Sequence, residues 1–499
     1  MALRAAQIAA PVRKSGAGTR SKVDSAAGAA KRLPLVVDMD HFLVKADIGA
    51  EAAVAELEAT VSRMGRVLRG ERGAVDPASF AEFARKGVDV SSLPLQQDLV
   101  DYLIAVAESG RELHLMTSAS QEIADAVAVR IGVFASATGS GPGHALGDDQ
   151  KLALAMDHFP KGFAYAGRSP VLIEAASSVV LPAGEATHSR RVKARGGTVE
   201  IVVDSPKPGL RLWLKALRCH QWSKNALLFV PLVLGHAFMN VDAITACVAG
   251  FFLLSLLASG TYLVNDILDL EADRKHPTKR RRPLARGDIE VGPAIAVAGI
   301  AIFGSLAAAY ALSVPFFATL AAYLVTTLAY SLYLKRVLLI DVFVLAVLFT
   351  SRIAMGIALA GVTPSPWLLT FTMFFFLSLS LAKRHVEVVT AAEQGLVTIP
   401  GRDYRASDLP LTVALGIACN AVAMLVMFLY LTHDAMPTGV YRQPYWLWGA
   451  AFVVFLWSLR IWGLSHRGEL DADPVAFALK DKVSIALGLI VVAVFGLAL

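Results

Sequence analysis

Nine apolar stretches follow one another after residue 210, at approximately 224–239, 241–265, 291–312, 315–334, 339–361, 366–382, 409–432, 444–464 and 481–499. A helix needs about 20 predominantly apolar residues to cross the hydrocarbon core of a bilayer. Lipid offers no partner to an unsatisfied backbone amide, so runs of this kind must become packed α-helices. The shorter runs span only as members of a bundle. A chain of 499 residues with 55% hydrophobic content is too long for one ordinary domain and too apolar to be soluble throughout.

The net charge of +6 does not point to nucleic acid, because the basic residues gather at the ends of apolar runs. That placement favours a membrane surface, with anionic lipid or phosphate ligands as partners. Lysine and arginine populate the loops 267–290, 335–338, 383–408 and 465–480, whereas the opposite loops carry only Arg442. By the positive-inside rule the charged loops face the cytoplasm of an inner (plasma) membrane, together with any domain attached before the first span. Cys219, Cys247 and Cys419 lie far apart without metal-ligand spacing and read as small buried hydrophobes in a reducing compartment.

Between the second and third apolar runs lies a charge-dense segment, NDILDLEADRKHPTKRRRPLARG, from Asn265 to Gly287. Asp266, Asp269 and Asp273 share one face if the preceding helix continues through them. Stacked carboxylates need a cation among them, and Mg2+ is the expected one, because it binds carboxylates together with substrate phosphates. Lys279 and Arg282, within the cationic run that follows, suit a phosphate. The whole is the pattern of a site that ionises a diphosphate ester.

The NDxxDxxxD pattern resembles the first aspartate-rich motif of the UbiA superfamily of intramembrane prenyltransferases. HPxKxxRP, here His276, Pro277, Lys279, Arg282 and Pro283, resembles the branch of decaprenyl-phosphate phosphoribosyltransferases. The resemblance spans roughly Leu210 to Leu499. It implies about nine transmembrane helices in a UbiA-like domain over 210–499. It also implies Asp266, Asp269 and Asp273 as catalytic metal ligands, with Asn265, His276, Lys279 and Arg282 at the substrate. QWxKN, with Lys224 and Asn225, recurs in that branch. Lys224 is therefore either a substrate contact or, with Trp222, an interfacial anchor.

The front of the chain differs. Residues 1–31 are basic, rich in Ala, Gly and Ser, and contain one acid, Asp24, so they read as a disordered arm, with an organellar transit peptide as the other reading. Residues 32–183 alternate strand-like runs, LPLVVDMD, LHLMTSAS, GFAYAGRS and VVLPAG, with helical stretches, as in a small α/β domain. Residues 184–209 are basic and punctuated by Gly and Pro, and read as a linker. The α/β segment resembles a haloacid-dehalogenase-like (HAD) phosphatase, with Asp38 and Asp40 in the first motif, Thr117 in the second and Lys151 in the third. His41 and Phe42 replace the Gly and Thr of DxDGT, and Arg168 stands where such enzymes have a metal-binding Asp. A degenerate, regulatory or structural domain is the leading reading and an active phosphatase the other.

Other charges mark the apolar region. Tyr330 is placed to hydrogen-bond a phosphate, and Lys335 to do so or to mark the membrane boundary. Asp341 and Arg352 lie within or beside an apolar run, where an ionisable side chain is functional unless it forms an ion pair. LAKRHVEVV places Lys383 and Arg384 where most of the superfamily has a second aspartate motif. Direct cationic binding of a sugar phosphate or lipid phosphate is the reading favoured over a solvated charge run. DADP, with Asp471 and Asp473, has no assigned role.

The leading expectation is Mg-dependent transfer of 5-phosphoribose from phosphoribosyl diphosphate to a polyprenyl phosphate at the cytoplasmic membrane face. Its product would supply arabinosyl donors for cell-envelope or secreted glycans, as the resemblance implies. One alternative is an ordinary UbiA-type prenyltransferase acting on a prenyl diphosphate, and another is a non-catalytic membrane scaffold.

Overall fold

The computed structural model describes residues 33–54, 89–141, 146–204, 208–399, 402–470, 474–478 and 480–499. The expected basic arm, the stretch 55–88 and the pair Asp471 and Asp473 lie outside the described residues. The chain divides into two compact units. One draws on Met1–Ala59, Asp76–Gly209 and Leu268–Pro293, and the other contains Leu210–Ile267 and Ala294–Leu499.

The first unit is built on six parallel strands, β1 (Leu35–Asp38), β2 (Leu113–Ser120), β3 (Ser136–Ser140), β4 (Ala164–Ala166), β5 (Ser178–Pro182) and β6 (Thr198–Val203), in the order β3-β2-β1-β4-β5-β6. Leu35 pairs with Leu113 on one side and with Ala164 on the other. Helices α1 (Gln97–Glu108), α2 (Gln121–Ile131), α3 (Asp148–His158), α4 (Pro170–Ala175) and α5 (Ala186–Ala194) cover the sheet. Alternate residues of β1 serve opposite faces: Leu35 and Val37 join a core with Leu99, Leu103 and Val127, and Val36 joins one with Phe163, Leu172 and Val179. A strand buried on both faces reads as a continuous apolar run, which is why LVV was legible. In this strand order the chain reverses direction beside β1, and the crevice outside the carboxyl end of β1 is where such sheets place ligands.

The expected linker is corrected. Residues 186–194 form α5 and 198–203 form β6, so the sheet does not end at VVLPAG. β6 is an edge strand with only Val203 fully buried, so its apolar signal is weak. It is fixed by Glu200, which accepts from Arg111 Nη1 at 2.7 Å and from Tyr102 at 2.8 Å.

The second unit is helical, and the chain is an integral membrane protein. Among the described residues seven helices are long and apolar enough to cross a membrane: Val241–Leu268 (α6), Val291–Leu312 (α8), Val314–Leu332 (α9), Ile340–Ala360 (α10), Pro366–Glu393 (α11), Ala406–Thr438 and Pro444–His466. Lys482–Ala498 is shorter. Between α6 and α8 lies the short α7 (Leu270–Lys275). The count of nine is thus not reached by length. The first expected span, 224–239, is a 3-10 segment Cys219–Phe229, a short helix Val230–Leu234 and a turn Ala237–Met239. Pro231 has no amide N–H to donate and His236 adopts φ 55°, so no continuous helix forms there. Side chains such as Ile300, Phe303 and Val492 are exposed, as lipid-facing residues are. Small residues let helices approach closely: a Cβ at Gly416 would lie 2.0 Å from the Trp462 ring.

Candidate functional site

Asp266 ends the apolar face of α6, buried to 3% exposure, and its carboxylate accepts from the guanidinium of Arg218. Arg218 has the left-handed φ of 51° and lies 4.8 Å from the Tyr262 ring centre. Sequence reading missed Arg218, although a cation immediately before CHQWSKN was the available signal. Trp222 donates to Ser259 at 3.0 Å and Asn225 to Ser255 at 3.0 Å, so both tie the irregular first segment to α6. Asn265 and Lys224 are half-buried.

The helix does not run on through the motif. α6 stops at Leu268, and Asp269 follows with φ −91° and ψ 12° before α7 begins. The premise of a single helical face for Asp266, Asp269 and Asp273 is therefore corrected. Asp273, on α7, is 1% exposed and accepts from Arg282 at 2.5 Å, with Lys279 Nζ at 3.7 Å. These are the two cations singled out from the motif, and the chain folds back to bring them onto its last aspartate. His276 is exposed and its Nδ1 accepts from the Thr278 amide at 3.2 Å, closing the turn.

Among the described residues no three His, Cys, Asp or Glu side chains converge as a metal cage. The donor set nevertheless suits a hard divalent ion. Asp273 Oδ1 is buried and, among the described residues, has no hydrogen-bond partner, Lys279 Nζ lying 3.7 Å away; magnesium is commonly held by one or two carboxylates plus substrate phosphates and water.

A second cluster lies in the membrane unit. Asp341 and Arg384 are both fully buried, with Nη2 2.8 Å from Oδ2. Glu387 takes the other end of Arg384, and Tyr404 donates to Asp341 Oδ1 at 2.7 Å. Arg402 approaches Asp341 Oδ2 at 3.3 Å, Glu387 at 3.5 Å and the Tyr330 hydroxyl at 3.4 Å. Two cations thus meet two carboxylates in the interior. The expectation that Arg384 meets a substrate phosphate is corrected: it is an internal strut between α10 and α11, since an uncompensated charge there would be costly. Lys383 beside it is half-buried. Arg402 was missed, because its partners Asp341, Glu387 and Tyr330 are remote in sequence and are set only by tertiary packing. Among the described residues Arg352 has no ion-pair partner: it donates to Asn225 Oδ1 at 3.0 Å, to Tyr323 at 3.1 Å and to the Leu348 carbonyl.

At the carboxyl end of β1 the structure brings together Asp38, Asp40, Thr117 and Lys151. Lys151 Nζ donates to Asp38 Oδ1 at 2.9 Å and to Asp40 Oδ2 at 2.8 Å. Asp40 also accepts from Thr117 Oγ1 at 2.6 Å and from the Ser118 amide and hydroxyl, each at 2.7 Å. Tyr165, missed in the sequence, donates to Asp38 Oδ2 at 2.7 Å. Burial pushes the Asp38 carboxyl above the ordinary carboxylate range against the pull of Lys151. Burial acts the same way on Asp40, but Lys151 and the hydroxyl and amide donors hold its carboxyl below that range. Both carboxylates raise Lys151 despite its burial. His41 carries φ 55° where the resembling phosphatases have Gly, so the turn survives the replacement. The exposed Arg168 brings a cation to the position of their metal-binding Asp, so these residues do not fit a divalent ion in the HAD manner.

A family model described as the UbiA prenyltransferase family matches residues 227–485. The uncharacterized protein y4nM of Sinorhizobium fredii is 38% identical over 477 residues, which covers 94% of this chain and 92% of that protein. That alignment takes in the α/β region as well as the helices. A decaprenyl-phosphate phosphoribosyltransferase of Mycobacterium tuberculosis is 28% identical over 303 residues, 60% of this chain and 98% of that protein. Among solved structures, a UbiA homolog from Archaeoglobus fulgidus bound to GPP and Mg2+ aligns with a TM-score of 0.43 and 16% identity, over 57% of this chain and 98% of that one.

Proposed function

We propose, from the premise that this chain belongs to the UbiA prenyltransferase family, that this membrane transferase moves 5-phosphoribose from phosphoribosyl diphosphate to a polyprenyl phosphate. The observation that carries the reading is the meeting of cations with the motif's last aspartate, Arg282 at 2.5 Å and Lys279 at 3.7 Å from Asp273. A diphosphate arriving with its own cation exchanges directly into such carboxylate–cation pairs. Similarity over nearly the whole length of a decaprenyl-phosphate phosphoribosyltransferase supports the same substrate class.

In the reaction the bond from the sugar's anomeric carbon to the diphosphate breaks, its electron pair leaving with the diphosphate. A lipid phosphate oxygen forms the new bond to that carbon. No general base is required, because a phosphate monoester is already anionic at neutral pH. Lys279 and Arg282 hold the leaving diphosphate, with Asn265, His276, Lys224, Tyr330 and Lys383 as further contacts to the sugar phosphate or the lipid phosphate. A divalent ion, magnesium by preference, held through Asp266, Asp269 and Asp273 would supply charge neutralisation for the departing group. The charged loops and the α/β domain lie on the cytoplasmic side of the inner membrane, following the asymmetry of lysine and arginine. The crevice of Asp38 and Asp40 is a degenerate HAD-like site.

The test incubates membranes containing the protein with polyprenyl phosphate, magnesium and radiolabelled phosphoribosyl diphosphate or prenyl diphosphate. Label enters the organic phase from the sugar donor and stops on chelation of the metal. Label from the prenyl donor alone would refute the reading in favour of an ordinary prenyltransferase. Turnover of neither would leave a scaffold.

A further inference from the structure

We propose that the α/β domain is a positioning clamp for the basic segment after the aspartate motif, acting through Glu51 and Arg274 on one flank and Gly287 on the other. The segment Leu268–Pro293, which in sequence joins two membrane helices, folds as part of the same compact unit as the α/β domain. Its attachment is specific. The Arg274 guanidinium donates in a fork to Glu51, Nη1 to Oε2 at 2.8 Å and Nη2 to Oε1 at 2.6 Å, across 223 residues of chain. Both side chains are almost fully buried, 5% and 6% exposed. Glu51 is presented from a helical turn whose start is capped by Asp47, which accepts from the Ala50 amide at 2.9 Å. The remaining nitrogen of Arg274 donates to the Ala285 carbonyl at 3.3 Å, so one guanidinium links Glu51 to the far side of the basic turn.

Adjacent contacts repeat the arrangement. Lys275 Nζ lies 2.8 Å from Asp89, which also receives the Ser91 amide at 3.0 Å. Downstream, Gly287 has φ +70°, and a Cβ there would sit 2.3 Å from the Lys45 carbonyl oxygen and 2.7 Å from Lys45 Cβ. Only a glycine lets those two backbones touch. Lys45 is itself held, its amide donating to Pro94 at 2.9 Å. Between these anchors stand Lys279, Arg280, Arg281 and Arg282.

Anchoring both flanks lowers the entropy lost when four mutually repelling cations are ordered around an anion. A buried, forked Arg–carboxylate pair adds little net stability over apolar packing but fixes geometry. The soluble domain thereby contributes to transfer while performing no chemistry itself. The kinetic consequence rests on the proposed function; the clamp does not.

The experiment compares full-length protein in detergent with Glu51→Gln, with Gly287→Ala and with the charge swap Glu51→Arg/Arg274→Glu, reading deuterium uptake by backbone amides of 275–286 without substrate. Uptake there is expected to rise in Glu51→Gln and Gly287→Ala, while the amides of β1, β2 and β4 keep their protection, and the swap returns it toward the parent. The KM for phosphoribosyl diphosphate is expected to rise on the order of tenfold in Glu51→Gln, with the KM for polyprenyl phosphate unchanged. Unchanged uptake at 275–286, or a rise spread equally over the sheet, would overturn the clamp. A protein that shows the uptake change but transfers no phosphoribose retains the clamp and refutes the proposed function instead.

Discussion

The two aspartates of the β1 crevice should respond unequally to the same isosteric change. Asp40 accepts from Lys151, Thr117 and Ser118, whereas Asp38 shares Lys151 and takes one hydroxyl, that of Tyr165. Removing one partner of a buried pair costs about 3–5 kcal/mol when the other charge is left uncompensated. After Asp40→Asn, Lys151 retains only Asp38, whose carboxyl burial has already raised, so about 3 kcal/mol is expected. After Asp38→Asn, Lys151 keeps its stronger partner and Tyr165 keeps an acceptor, so the change stays within about 1 kcal/mol. A domain of this size loses about 2–4 °C per kcal/mol, which puts the Asp40→Asn variant about 6–12 °C below the parent.

The pH dependence follows from the directions of the shifts. Asp40, held below the ordinary range, contributes stability that is present above the unfolded value and lost as pH falls through the lower folded value. Asp38, raised, does the reverse: its ionisation costs stability as pH climbs from the ordinary value to the folded one. The part of the Asp40→Asn deficit that comes from Asp40 itself should therefore shrink as pH falls through its folded value, below the ordinary carboxylate range. The assay is thermal unfolding of full-length protein in detergent, followed by proteolysis of the α/β segment. Equal losses in the two variants, or a larger loss for Asp38→Asn, would refute the reasoning. Phosphoribosyl transfer should be unaffected by Asp38→Asn.

Asp273→Asn is expected to lower transfer by about 100-fold or more while membrane insertion, checked by fractionation, is unchanged. Asp341→Asn, which leaves Arg384 and Arg402 sharing the single carboxylate of Glu387, should cost about 3–5 kcal/mol by scanning fluorimetry in detergent, and Asp341→Asn/Arg384→Met should recover much of it. Gly416→Ala places a methyl inside the contact distance of Trp462 and should destabilise by about 1–3 kcal/mol, relieved by Trp462→Leu.

Elements whose signal is local were legible in the sequence. β1 was readable because both its faces are buried, and the charged motif because it interrupts two apolar runs. The grouping of Asp38, Asp40, Thr117 and Lys151 followed from a resemblance; the sheet pairs β1 with β2, and the helix α3 carries Lys151 to them. The stretch 184–209 was misread because a basic amphipathic helix and a half-exposed edge strand have the composition of a headgroup-binding linker. Its strand identity depends on Glu200 meeting Arg111 and Tyr102, residues remote in sequence. Arg384 was misread for the same reason: a cation at a helix end has one composition whether it meets a ligand or, as here, Asp341.

The amino-acid order alone determined that the chain must enter a membrane, that an α/β segment precedes the helices, and that a run of cations follows a run of carboxylates at one helix end. Each of these is a matter of periodicity and neighbouring charge. Only the tertiary structure decided which cation each carboxylate takes: Arg218 for Asp266, Arg282 for Asp273, Arg274 for Glu51. An ion pair is strong only where water is excluded, and which charges lose their water together is set by the packing of the whole chain.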